Sequence, residues 1–564
     1  MSILAIIVGL AGGFGAIGFR YLIDFVQTIA YGSGGNLLDV VQSLPWNRKV
    51  WVPAAGGLLV GPLVYFLAKE AKGHGVPEVM AAVALKNGVI RKRIVLIKSF
   101  ASAICIGTGG SVGREGPIVQ IGSGIGSTLG QVLRVSADRM KILVGCGAAA
   151  GIAATFNAPI AGSMFALEII LGDFALATFS PIVISAVVAT AVCRHFLGDV
   201  PAFIVPHYEL VSAWELPIYA LLGLFCAVVA VSFTKGLYKI EDLFDAFKFP
   251  EYLKAVFGGL ILGVMALYFP HILGVGYGGI DLALGQKLAW WLMILLVLCK
   301  IVATSITIGS GGSGGIFAPS LFVGAMAGGF FGSVAHRILP AVTASPGAYS
   351  IVGMGAVVAG TTHGPLSAIL ILFEMTGNYQ IILPLMIACI ISNLASGQFL
   401  KDSIYTLKLG RQGVNIRAGK EVNVLRSIPV KDVMNPKPET MPENLSLGQV
   451  TEKIIKSKYN SFPIVGEENH LTGILSFMDY RNAAFDENLK DLVVAKDLAT
   501  LDVITVSHDD NLYDALEKIT LKDFAVLPVV SPDDPLRLVG ILTSSDIIGA
   551  YNRAITKKSL FEKT

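Results

Sequence analysis

The chain has 564 residues, of which 54% are hydrophobic and only 15% charged, and its mean hydropathy is +0.68. Soluble globular domains carry about 25% charge, so the composition excludes a wholly soluble protein and places most of the chain in lipid. A formal net charge of +3 leaves no basic footprint for a nucleic acid partner.

The first residues, MSILAIIVGL, run into an apolar segment without a basic flank or a cleavage site, so this segment is expected to be retained. Uncharged apolar runs follow at 50–68, 174–193 and 216–233, each near the length of about 20 residues that spans a bilayer as helix. The 63 glycines fall mainly before residue 410 and interrupt many apolar stretches, which predicts short, broken or closely packed helices. Cys105, Cys146, Cys193, Cys226, Cys299 and Cys389 lie in apolar segments with no metal-ligand spacing and are expected to be small buried residues. After Leu409 the hydropathy collapses into GRQGVNIRAGKEVN. The expected organisation is a membrane domain over 1–409, a linker over 410–427, and two tail modules over 428–487 and 494–556.

Both parts repeat internally. Gly109-Gly110-Ser111-Val112-Gly113-Arg114-Glu115-Gly116-Pro117 returns 202 positions later as Gly311-Gly312-Ser313-Gly314-Gly315-Ile316-Phe317-Ala318-Pro319, and Gly122 and Gly126 match Gly324 and Gly328 at the same offset. Pro159 and Glu168 are echoed by Pro365 and Glu374. The membrane domain therefore reads as an all-α polytopic unit of two inverted-repeat halves with broken helices, about 1–200 and 210–407. Such folds place helix N-termini, with their free N–H groups, at a midplane anion site. In the tail, Asn444-Leu445, Gly473-Ile474-Leu475 and Asp479 recur 67 residues on as Asn511-Leu512, Gly540-Ile541-Leu542 and Asp546. Each copy reads as an α/β module of amphipathic helix, short strand, GIL strand and second helix.

The chemistry concentrates in GGSVGREGP. Its glycines leave backbone N–H groups open to a partly dehydrated anion. Glu115 is the anomaly, because a carboxylate at an anion-binding helix start is best used as a tethered competitor that yields when protonated or displaced. A simple Arg114–Glu115 ion pair at a wet helix end is the plainer alternative. Two further glycine-rich starts, Gly73-His74-Gly75-Val76-Pro77 and GGSGGIFAP, favour the gate. Lys98 and Lys300 also interrupt apolar runs. Lys98 is read as field for an anion path or as structural, and Lys300 as snorkelling to a membrane edge.

GHGVP, GREGP and GIFAP, in this order and followed by a tyrosine near the last membrane helix, resemble the CLC chloride channel and transporter family over essentially the whole chain. The resemblance implies that Glu115 is the gating glutamate and that His74, Gly75, Gly113, Arg114, Gly315, Ile316 and Phe317 line the anion, with Tyr405 as hydroxyl donor. It implies a homodimer with two separate pores in a lipid bilayer. His74 stands where family members usually carry serine or, in nitrate-selective ones, proline, so the site gains a titratable group. Ile169 stands where proton-coupled members commonly carry a relaying glutamate, and it favours a passive, voltage-gated chloride channel over a proton-coupled antiporter. Glu168 is expected to be a capping or packing carboxylate.

The tail resembles tandem CBS domains, whose adenosine sites use a strand followed by Ser or Thr and then Asp. Here those are Ser476 and Asp479, and Thr543 and Asp546. The resemblance implies ATP, ADP or AMP as a regulator, with no obligatory cofactor, and a cytosolic tail. A CBS-regulated divalent-cation transporter is the reading from another class, and it would need several membrane carboxylates converging on a metal. A membrane enzyme finds no nucleophile, metal cluster or phosphate loop.

Overall fold

The computed structural model of the chain describes residues 1–199, 203, 208, 210–413, 425, 428–457, 459–483, 492–522 and 526–561. It divides into two compact units, Met1–Val414 and Asn415–Thr564. Of the expected linker, residues 414–424, 426 and 427 lie outside the described residues, as do 458, 484–487 and 523–525 of the two tail modules and 488–491 between them.

The first unit is helical. Among its described residues, nine helices are long and apolar enough to cross a membrane. The three apolar runs become the helical stretches Trp46–Leu67, Leu176–Leu197 and Glu215–Ala246. The last extends to 32 residues, beyond the apolar run, because its polar end carries mostly helix formers and no proline. Between the spans lie short helices, Val76–Leu85, Pro159–Phe165 and Pro365–Thr376, as the glycine and proline spacing predicts. Two of them follow a residue in the left-handed region, Asn157 (φ 58°) and His363 (φ 55°), which ends the preceding helix. Proline then starts the next one.

Glycine also sets how closely the helices approach. A Cβ at Gly122 would lie 2.1 Å from the Gly147 carbonyl oxygen, and one at Gly126 2.1 Å from that of Leu143. In the second half, Gly324 and Gly328 meet the carbonyls of Gly353 and Tyr349 in the same way. Small residues thus let the Glu115–Val132 and Phe317–Ile338 helices pack backbone to backbone on their neighbours. Five of the six cysteines are buried, and Cys299 is only half-buried.

Among its described residues, the second unit holds two three-stranded sheets. In the first, Met441–Pro442 runs parallel to Ser461–Val465, which pairs antiparallel with Leu471–Ser476. In the second, Val506–Ser507, Val526–Val530 and Leu538–Thr543 repeat that order. The amphipathic helices Leu447–Lys456 and Leu512–Lys522 supply Leu447, Val450 and Ile454 to one core and Leu512, Ala515 and Ile519 to the other. Each repeated segment found in the sequence is thus one α/β layer.

Candidate anion site at paired helix starts

The two GGSxG turns meet face to face. Gly113 N–H donates to Gly315 O at 2.7 Å, and Gly315 N–H returns a bond to Gly113 O at 2.6 Å. The pairing is antiparallel and joins residues equivalent in the repeat, so a local two-fold passes between them, as inverted halves require. The third turn joins from the side. Gly73 N–H donates to Gly312 O at 3.1 Å, and Gly314 N–H to Gly73 O at 3.3 Å.

A side chain on Gly116 or Gly315 would not fit inside this cluster. A Cβ on Gly116 would lie 2.0 Å from His74 O and 3.0 Å from the Gly315 Cα, and one on Gly315 2.7 Å from Gly116 N. The helices Val76–Leu85, Glu115–Val132 and Phe317–Ile338 therefore begin at one place, their first amide groups unpaired within the helix. The three glycine motifs predicted the helix starts; their pairing with one another is added by the structure.

Serines secure the turns with the same symmetry. Ser102 Oγ and Ser313 Oγ lie 2.9 Å apart, and Thr304 Oγ1 and Ser111 Oγ 3.4 Å apart. So do the two lysines. Lys98 Nζ donates to Ala71 O at 3.0 Å and Gly73 O at 2.7 Å, while Lys300 Nζ donates to Ile272 O and Gly274 O, both at 2.9 Å. Both side chains are fully buried. Lys300 does not snorkel, because two carbonyls of the turn before Tyr277 hold its ammonium in the interior.

Glu115 is 1% exposed. Tyr277 Oη donates to its Oε1 at 3.0 Å. Oε2 has no partner and lies against Gly113, whose Cβ would be 2.1 Å from it and 3.2 Å from the Ala318 amide nitrogen. The carboxylate thus sits where an anion at the start of the second-half helix would sit. Arg114 does not form a wet ion pair with it; the guanidinium stacks over Tyr277 at 5.5 Å and lines a cavity of about 300 Å³ with Arg20, Asp24, His271 and Asp281.

His74, 1% exposed, places its ring 5.8 Å from that of Tyr405. Its Nε2 is 3.5 Å from Tyr238 Oη, which donates to Ile404 O at 2.5 Å. Gly75 adjoins Gly116 O. Tyr405, also 1% exposed, stands at the start of Thr406–Arg411 within electrostatic reach of Glu115. Ile316 precedes and Phe317 opens the Phe317–Ile338 helix, and the Phe317 ring packs on Phe156 and Phe165 at 5.6 and 6.3 Å. The site residues expected in the membrane unit, Ile169 apart, therefore gather around one set of helix starts.

Tyr277 and Tyr238 were not foreseen. A signal for Tyr277 existed, since Gly274-Val275-Gly276 repeats Gly73-His74-Gly75 at an offset of 201 and marks a fourth glycine start.

Glu168 accepts from the Leu366 and Ser367 amides at 3.1 and 2.7 Å, and Glu374 from those of Ile160 and Ala161 at 3.1 and 2.7 Å. Each carboxylate caps a helix of the opposite half. Ile169 is buried against Gly364, in line with a packing residue that cannot carry a proton.

In the tail, Thr543 Oγ1 and N donate to Asp546 Oδ2 at 2.6 and 3.0 Å, and Ser476 does the same to Asp479 at 2.6 and 3.0 Å. One oxygen of each aspartate thus closes its own turn.

The comparisons with known proteins identify the family. The family model described as voltage-gated chloride channel matches residues 56–397, and the CBS domain model matches 430–486 and 495–553. The chain is 38% identical over 415 residues to a putative chloride channel protein ClcB-like of Ralstonia nicotianae, covering 73% of this chain and 97% of the relative. It is 34% identical over 407 residues to the H(+)/Cl(-) exchange transporter ClcA of Vibrio parahaemolyticus, covering 70% and 87%. The crystal structure of a slow cyanobacterial Cl-/H+ antiporter aligns with a TM-score of 0.67 at 28% identity, covering 73% of this chain and 97% of that one. With its family model spanning more than half the residues, its inverted halves and its tandem CBS tail, the chain belongs to the voltage-gated chloride channel family of membrane anion transporters.

Proposed function

We propose that the chain is an anion/proton antiporter in which Glu115 alternately blocks the anion site and carries a proton. The observation that carries the reading is the position of the Glu115 carboxylate, bound by Tyr277 at 3.0 Å and directed at the second-half helix start. A protonated carboxyl loses its attraction to helix N-termini and leaves the site to the anion. Relatives whose names or titles state exchange or antiport support proton coupling. The expectation of a passive channel rested on Ile169 alone, and the absence of a carboxyl at one position does not prevent a proton from using another route.

Chloride is the proposed cargo. Two copies are proposed to pair as a dimer with separate pores, and an adenine nucleotide to bind between the tail modules through Asp546, Thr543, Asp479 and Ser476 and regulate transport. Asp546→Ala should weaken ATP binding at least tenfold, since a lost hydrogen bond to a charged group is worth about 1.5–3 kcal/mol. Calorimetry with ATP, ADP and AMP tests it.

The direct test of antiport uses protein reconstituted in vesicles with the membrane potential clamped. A chloride gradient should drive protons uphill, read by an enclosed pH dye, and Glu115→Gln should abolish the proton signal while chloride flux continues. Chloride flux with no proton movement in the parent protein would instead support the passive channel.

A further inference from the structure

We propose that His74 takes up a proton at Nδ1 when an anion occupies the site beside it, making this imidazole a second proton carrier in addition to Glu115. The inference rests on the reading of the paired helix starts as an anion site.

The argument begins with one hydroxyl. Tyr238 has a single O–H, and it donates to the Ile404 carbonyl at 2.5 Å. The Tyr238 oxygen can then only accept from His74 Nε2, 3.5 Å away, so Nε2 carries hydrogen. In a neutral ring Nδ1 is therefore a bare lone pair. That atom is buried and has no partner, in a residue 1% exposed. An unpaired buried lone pair is costly, and an anion close to it adds repulsion. A proton on Nδ1 turns the same atom into a charged donor, which an anion stabilises.

The surroundings decide when that proton is held. Lys98 and Lys408 bring positive charge to the ring, from the helices Lys92–Gly107 and Thr406–Arg411. Lys98 Nζ is fixed on Ala71 O and Gly73 O, and Lys408 pairs with Glu78 at 2.6 Å. Tyr405 adjoins the ring, and Glu241 and Arg411 act on Tyr238. Burial and the two ammonium groups disfavour a further positive charge on the ring, so it is held only when an anion arrives to balance it. The proton comes from water and joins the Nδ1 lone pair. Nε2 keeps its own proton on Tyr238 throughout, and Nδ1 releases its proton when the anion leaves. Ile169 holds no proton, and this imidazole supplies an exchangeable one beside the anion path.

The experiment uses full-length protein in detergent carrying Glu115→Gln, so that the carboxyl contributes nothing. Chloride is titrated by calorimetry across pH, and again in weakly buffered solution with a pH dye. The expected result is uptake of about one proton per chloride, with affinity falling about tenfold per pH unit once the free ring is neutral. Adding His74→Asn should remove both effects. Where that double variant does not fold, infrared difference spectra of the Glu115→Gln protein decide, and imidazolium bands should appear on adding chloride. Chloride binding without proton uptake or without imidazolium bands, or uptake that survives His74→Asn, overturns the proposal and leaves the anion site standing. Failure to bind chloride at any pH overturns both.

Discussion

Replacing Glu115 by Gln keeps the side chain's shape and removes its charge. Two interactions hold the carboxylate in place. Tyr277 donates to Oε1 at 3.0 Å, and changing the acceptor from charged to neutral weakens that bond by about 1 kcal/mol. The start of its own helix and that of Phe317–Ile338 attract the anionic form, by about 0.3–2 kcal/mol. Desolvation of the buried charge opposes both terms. A net loss of about 1–2 kcal/mol follows, so an anion competing for the same space should bind about 5- to 30-fold tighter in the variant at neutral pH. Chloride titration of the two purified proteins across pH is the assay. The difference should close on acidification, when protonation gives the parent the same neutral side chain. Equal affinities at neutral pH would mean that the carboxylate does not compete with the anion.

Other expectations follow from the same structure. Gly116→Ala places a methyl group 2.0 Å from His74 O and should abolish transport, with flux after reconstitution as the measure. Removing the reciprocal caps by Glu168→Ala or Glu374→Ala should destabilise the protein by about 0.5–2 kcal/mol each, and thermal unfolding in detergent should give a double variant that departs from additivity if the two helices act as a unit. His74→Ser should shift anion preference toward chloride over nitrate, read from permeability ratios. In the tail, the Leu536 amide and His470 hold the Asp534 carboxyl below its ordinary value of 3.8. A folded value lower than the unfolded one adds stability above about pH 3.8 that is lost as pH falls through the folded value. Acid unfolding of residues 425–564 should therefore be less steep in that range for Asp534→Asn than for the parent.

Much of this arrangement was legible because its signals are local or repeated. GGSVGREGP and GGSGGIFAP announce helix starts by composition alone, and their constant offset announces the two halves. Glu115 was legible as an anomaly of charge against its setting. What stayed hidden depends on partners distant in sequence. Lys98 and Lys300 are also 202 positions apart, yet the carbonyls they hold lie in turns 25 to 28 residues upstream, so Lys300 looked like an edge residue. Glu168 was readable as a cap, but the helix it caps begins almost 200 residues later. Tyr277 and Tyr238 sit in helices where an aromatic residue is ordinary. Their hydroxyls gain a role only when Glu115 and His74 are folded against them.

The central claim, anion movement coupled to protons through Glu115, is tested most directly by the reversal potential of the reconstituted protein under combined chloride and pH gradients. With a tenfold chloride gradient, a passive chloride pore reverses at about 59 mV in magnitude whatever the pH difference. Coupled antiport predicts a reversal potential that moves when the pH gradient alone is changed, and that loses this movement in Glu115→Gln. A potential fixed by chloride at every pH gradient would contradict it.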